Sequence, residues 1–70
     1  MKIIAQFIKT DKPHETKLRI TENKRGLRGS VLKSDGSVLY STQFNYEDGD
    51  ADIYRVKEYF GFTNDNSYKV

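Results

Sequence analysis

Leu27–Phe44, LRGSVLKSDGSVLYSTQF, reads as one β-hairpin closed at Asp35-Gly36, and the rest of the chain is arranged around it. An Asp-Gly pair between alternating apolar residues signals a hairpin, because a type I′ turn needs φ > 0 at both central positions. With Asp35 and Gly36 at the centre, Ser34 faces Ser37, Lys33 faces Val38 and Leu32 faces Leu39. Val31 then faces Tyr40, Gly29 faces Thr42, Arg28 faces Gln43 and Leu27 faces Phe44. Opposed residues share a face of the sheet. One face carries Leu27, Val31, Val38, Tyr40 and Phe44 and is expected to be the core face. The other carries Arg28, Ser30, Leu32, Leu39, Ser41 and Gln43, polar at one end with a Leu32/Leu39 patch near the turn. A one-residue slip inverts this division.

Upstream of the hairpin two more strands are expected. In Lys2–Thr10, Ile3, Ala5 and Phe7 alternate with Ile4, Gln6 and Ile8, so both faces are largely apolar. That pattern fits a central strand, or an edge strand through which two copies associate as a homodimer. DKPH at 11–14 is a turn, because Pro13 lacks an N–H and restricts the residue before it. In Glu15–Glu22, Thr16, Leu18 and Ile20 point one way and Lys17, Arg19 and Thr21 the other. NKRG at 23–26 is a basic connector.

Downstream the period changes. NYEDGD at 45–50 is an acidic loop, and from Ala51 the residues Ile53, Val56 and Phe60 recur at helical spacing with Tyr59 beside them. Asp48 or Asp50 is expected to cap this helix, with Asp52 in its first turn. Gly61 suits the left-handed position after the helix, and Phe62 returns to the core. The final SYKV is a short edge strand or a frayed tail. The expectation is one α+β domain over residues 1–70, a two-layer ββββα arrangement with one C-terminal helix on a four-stranded, mainly antiparallel sheet. Its expected core is Ile3 or Ile4, Phe7 or Ile8, Leu18, Ile20, Leu27, Val31, Val38, Tyr40, Phe44, Ile53, Val56 and Phe60.

The composition narrows the function. There are no cysteines, so disulfides and thiolate metal sites are excluded. No apolar run approaches the roughly 20 residues of a spanning helix. MKIIAQFI lacks the cleavage site of a signal peptide. A soluble, cytoplasmic protein without membrane attachment is expected. The net charge is +2, but residues 1–33 hold nine Lys/Arg against three Asp/Glu, and residues 34–70 hold three against seven. The split fits a bipolar surface with one end suited to an anionic partner, and equally a solvated surface with chance clustering of charge.

Catalytic and metal chemistry find few residues. His14 is the single histidine and sits in a turn, more readily an exposed residue than a base or ligand. Asp48, Asp50 and Asp52 match the first three ligand spacings of an EF-hand loop, but Ile53 and Tyr59 stand where Gly and Glu are required. There is no G-x-S-x-G elbow, Walker A loop or dinucleotide fingerprint. The chain is therefore read as no enzyme, with no cofactor and no metal.

The binding reading rests on a spare sheet face. If the second strand pairs with the hairpin, Lys17, Arg19, Thr21, Arg28, Ser30, Ser41 and Gln43 share the surface away from the helix, with Lys24 and Arg25 in the connector beside it. Such a mix serves phosphate oxygens and base edges. In layout, RGLRGSVLKSDGSVLYSTQF followed by a helix resembles the three-stranded sheet plus helix of the integrase arm-binding domains. The likeness covers about half of the chain and lacks their sheet-face tryptophans. The same face, with five tyrosines in the chain, also suits a protein partner. In type, the chain is similar to accessory proteins of phages and mobile elements such as anti-CRISPR inhibitors. The low net charge and the acidic 47–52 segment favour the protein partner, because phosphate-driven affinity needs several uncompensated cations. A regulatory or inhibitory protein-binding module is thus expected first, and a nucleic-acid-binding domain second.

Overall fold

The computed structural model describes residues 2–11 and 14–70, with backbone alone at Thr10, Asp11 and His14. The DKPH turn and the surroundings of His14 lie outside the described residues. Five strands form one antiparallel sheet: β1 (Lys2–Asp11), β2 (His14–Asn23), β3 (Gly26–Lys33), β4 (Val38–Asn45) and β5 (Ser67–Lys69). A short 3-10 turn (Tyr46–Asp48) and one helix, α1 (Ile53–Tyr59), separate β4 from β5. The spatial order is β4-β3-β2-β1-β5. The sheet thus has one strand more than the expected four. β5 pairs with Phe7–Lys9, so the first strand is interior along that length, with no free edge there for self-association.

The hairpin turn differs from expectation. The Gly36 N–H donates to the Lys33 carbonyl and the Lys33 N–H to the Ser37 carbonyl, both at 2.9 Å. Gly36 has φ of 91°, and among the described residues no non-glycine residue has positive φ. Asp35 is therefore not in the left-handed region. The loop is the three-residue Ser34-Asp35-Gly36, a turn closed by a left-handed glycine, and not a two-residue type I′ turn. This moves the pairing near the loop by one residue, so Leu32 faces Val38. A bulge at Leu39 then takes the residue back, and from Val31↔Tyr40 to Leu27↔Phe44 the register is the expected one. Val38 consequently leaves the core face and is exposed, and the Leu32/Leu39 pair does not form.

The core lies between the sheet and α1. It is built from Ala5, Phe7, Leu18, Ile20, Leu27, Val31, Phe44, Val56, Phe60 and Phe62, with Ile4 and Ile53 packed at its margin. Burying an aliphatic or aromatic side chain of this size stabilises by about 1.5–3 kcal/mol. In β1 the choice falls on Phe7, while a bulge between Ile3 and Ala5 turns Ile3 out to solvent. Tyr40, expected in the core, is largely exposed but rests its ring 5.6 Å from that of Phe60. Lys57 and Lys9 close the β1 side of the core by lying over the Phe7 and Phe62 rings, at 4.4 and 5.4 Å.

α1 starts two residues later than a cap at Asp50 would require and four later than one at Asp48. Asp52 is the cap itself, accepting from the Tyr54 N–H at 3.0 Å. Asp50 instead meets Arg55 at 3.6 Å, and Asp48 accepts from Asn45. The helix stops as expected. The Phe62 N–H returns to the Lys57 carbonyl, the Gly61 N–H returns to Glu58, and Gly61 has φ of 77°.

Gly29 sets how closely the helix sits. A Cβ there would lie 2.6 Å from Phe60 Cε2 and 2.7 Å from Val56 Cγ1, so the bare backbone of β3 is the seat of α1. Gly29→Ala is expected to lower stability by about 1–3 kcal/mol through overpacking, measured by denaturant unfolding. An unchanged midpoint would show that the helix does not rest on this residue. In the loop, the hydroxyl of Ser37 donates to Asp35 Oδ1 at 2.7 Å and its N–H at 2.9 Å. These bonds, helped by the charge of Lys33, hold the Asp35 carboxyl below the ordinary aspartate value. A carboxylate depressed in the folded state adds stability above its unfolded pKa and loses it as pH falls through the folded one. In an NMR titration Asp35 should titrate below an ordinary aspartate, and Ser37→Ala should move it back up.

Candidate functional site

The helix covers one sheet face and leaves the other open, and the register arranges the open face in three rows. Directly opposed residues share a face. The first row is Ile3, Thr21, Arg28 and Gln43; the second is Gln6, Arg19, Ser30 and Ser41. The third is Tyr68, Ile8, Lys17, Leu32 and Val38, running across all five strands. Each row has one cation on a central strand. The expected residues Lys17, Arg19, Arg28, Ser30, Ser41 and Gln43 are therefore brought together. Lys24 and Arg25 are not: they form the two-residue turn between β2 and β3 and border a hollow shared with Tyr46 and Glu47.

The turn carrying Lys24 and Arg25 is held by Asn23, whose side-chain oxygen accepts from the backbone N–H groups of Arg25 and Gly26, each at 3.0 Å. The chain leaving β4 is fastened to that turn. The Tyr46 N–H donates to the Arg25 carbonyl at 2.8 Å, and the Tyr46 hydroxyl donates to Glu22 at 2.8 Å. The bond to Glu22 favours the neutral phenol and raises the Tyr46 pKa. Carboxylates therefore crowd this end and offset Lys24 and Arg25, while the centre of the open face holds only cations and neutral groups.

Internal bonds decide which side chains are available. Gln43 and Asn23 exchange amide bonds at 2.9 and 3.2 Å, and Arg28 donates to the Ser41 hydroxyl at 3.2 Å. Gln43 thus holds the face in shape with little capacity left for a ligand, while Ser41 accepts from Arg28 and keeps its hydroxyl hydrogen to donate. Among the described residues no ion pair reaches Lys17, Arg19 or Arg28. Arg19 stands out: it is half-buried at the centre of the sheet, and its Nε is fully covered with no hydrogen-bond partner. A covered donor without a partner costs about 1–3 kcal/mol. The fold tolerates that cost at the middle of its open face.

Sequence reasoning placed Leu32 on this surface but missed most of the apolar residues around it. Leu32 is buried on the open face, outside the helix-side core, and Thr21 is buried there as well. Ile3, Val38 and Tyr68 are each more than half exposed around them. The signal for Ile8 and Ile3 was present in the doubly apolar first strand. That for Val38 was hidden by the bulge, and that for Tyr68 by the SYKV segment, which reads as an edge strand or as a frayed tail. Tyr46, Tyr54, Tyr59 and Tyr68 are all exposed, as a small core requires. A hollow at the turn end of the face is lined by Ile8, Glu15, Lys17, Arg19, Leu32 and Lys33. Among the described residues no cluster of three or more His, Asp or Glu is placed to hold a metal, and no helix is long and apolar enough to cross a membrane.

No protein-family model, curated protein or solved structure matches the chain.

The covered, unpartnered Nε of Arg19 has a measurable consequence. Arg19→Met keeps the apolar stem and removes the unpartnered donor. Its unfolding free energy should equal or exceed that of the unaltered protein, by up to about 1 kcal/mol. A clear loss of stability in urea unfolding would mean that the guanidinium supports the fold.

Proposed function

We propose that the chain is a small, non-catalytic protein-binding module, regulatory or inhibitory in the manner of phage and mobile-element accessory proteins, and acting in the cytoplasm. Its working surface is the open sheet face. The observation that carries this reading is the third row. Tyr68, Ile8, Leu32 and Val38 form an apolar band across the sheet, with Leu32 buried within it, interrupted by Lys17 and bordered by Arg19 in the next row, beyond which lies Arg28. Apolar and aromatic side chains around arginine are the composition of protein interfaces, where charged residues are depleted at the centre except for arginine. The partner presents apolar groups to the band and carboxylates to the three cations. Complementary charge of this kind sets encounter rate and orientation more than affinity.

Nucleic acid is the second reading, favoured by the absence of any ion pair on Lys17, Arg19 and Arg28 among the described residues. It fits the face less well. Gln43 is engaged by Asn23, the band is apolar where a backbone groove would be polar, and the one aromatic ring in the rows, Tyr68, stands at the edge.

Three proteins separate the readings: the unaltered chain, an Arg19→Ala/Arg28→Ala double variant, and Tyr54→Ala as a control on the helix layer, where Tyr54 is exposed. Affinity capture from the native host should recover one partner with the unaltered chain and the Tyr54 variant and lose it with the double variant. Short duplex and single-stranded DNA or RNA should not shift at low salt. A shift that weakens steeply with salt and disappears in the double variant would give the face to nucleic acid and end the protein reading.

A further inference from the structure

The sheet has two outer edges, and they differ in a way that points to a partner. β5 is three residues long and ends in Lys69, and the uncovered start of β1 carries Lys2. Short length and lysine are the usual means by which a protein keeps a free edge from pairing. β4 has neither. It runs for eight residues, VLYSTQFN, without a charge or a proline, and its first four are exposed. The bulge at Leu39 distorts only the end next to the loop.

The backbone along this edge carries unused hydrogen-bonding groups. The Tyr46 N–H donates to the Arg25 carbonyl at 2.8 Å. Counting from that bond, the antiparallel alternation turns the N–H and C=O of Phe44, Thr42 and Tyr40 toward β3 and those of Ser41 and Gln43 away from it. A second strand laid along β4 would satisfy them.

We propose that the strand is β4 of a second copy, and that the protein forms a two-fold dimer through antiparallel β4–β4 pairing over Tyr40–Asn45. Self-pairing is favoured by charge. An uncharged strand opposed to itself brings no like charges together. In the helix layer above β4, Arg55 and Glu58 border the hollow against Thr42 and Gln43. Asp50 shares that hollow and meets Arg55 at 3.6 Å within each copy, so the self-pairing rests on the uncharged strand, the same patch on both copies as an isologous interface requires. With the axis perpendicular to the sheet, the ten strands form one continuous sheet. Both helices lie on one side and both open faces on the other. This proposal is independent of what the open face binds.

The test uses the intact protein in sedimentation equilibrium and amide hydrogen exchange. A mass twice 8.1 kDa at high micromolar concentration is expected, falling to the monomer on dilution. The Ser41 and Gln43 amides should exchange faster as the dimer dissociates, while those of Thr42 and Phe44 stay protected. Ser41→Pro removes one outward donor at a position where an edge strand accepts proline, so it should yield a folded monomer. If circular dichroism shows that variant unfolded, Ser41→Lys takes its place and should also be monomeric. A monomer at all concentrations overturns the proposal. So does a dimer that persists in the folded edge variant, or exchange at Ser41 and Gln43 that ignores dilution.

Discussion

The contact of α1 with Gly29 is the constraint on which the rest of the structure depends. Val56 and Phe60 approach the β3 backbone so closely that a single methyl would collide with both. This approach brings Phe60 within ring contact of Phe44 and Tyr40 at the β4 end. At the other end it lets Lys57 reach over Phe7. One seven-residue helix thereby covers strands from β4 to β1. A bulkier residue at 29 would lift it and open the core along its length, since interiors tolerate little change in volume. The opposite face of the sheet is left without a layer, and Lys17, Arg19 and Arg28 gather there.

The hairpin shows how much the sequence carried. Alternation in β2, β3 and the far half of β4 is strict, so Leu18, Ile20, Leu27, Val31 and Phe44 are core residues by pattern alone, and all five are buried. The turn was harder to read. Asp-Gly fits a two-residue loop and a three-residue loop equally, because each needs a left-handed glycine and only the first needs a left-handed aspartate. Two departures, the longer loop and the bulge at Leu39, cancel beyond Val31. Only the stretch between them changes sides, and Val38 is its casualty. The fifth strand was less legible still. Three residues carry too little alternation to mark a strand, and its partner lies about 60 residues away in sequence.

The candidate face was legible in its charges and obscure in its apolar part. Lys17, Arg19 and Arg28 were placed together by period-two reasoning, which survives any error at the loop. Their surroundings depend on features that periodicity cannot see. The β1 bulge exposes Ile3, β5 brings Tyr68 beside Ile8, and Leu32 is covered on the side away from the helix. Side-chain amides and hydroxyls expected to meet a ligand are used to hold the sheet, with Gln43 on Asn23 and Ser41 on Arg28. Sequence indicates which residues share a surface. It does not show which of them are already occupied.

The path from β4 over the helix to β5 also governs the order of assembly. β1 to β4 form a meander of neighbouring strands, whose short loops close early. β5 reaches β1 only after the chain has crossed the whole sheet. Until then the outer edge of β1 at Phe7–Lys9 stands open, with the core side chain of Phe7 at its start. During synthesis β1 waits for β5. In that interval the nascent chain is exposed to pairing with its neighbours on the same message, and the three residues of β5 act as the latch that ends it.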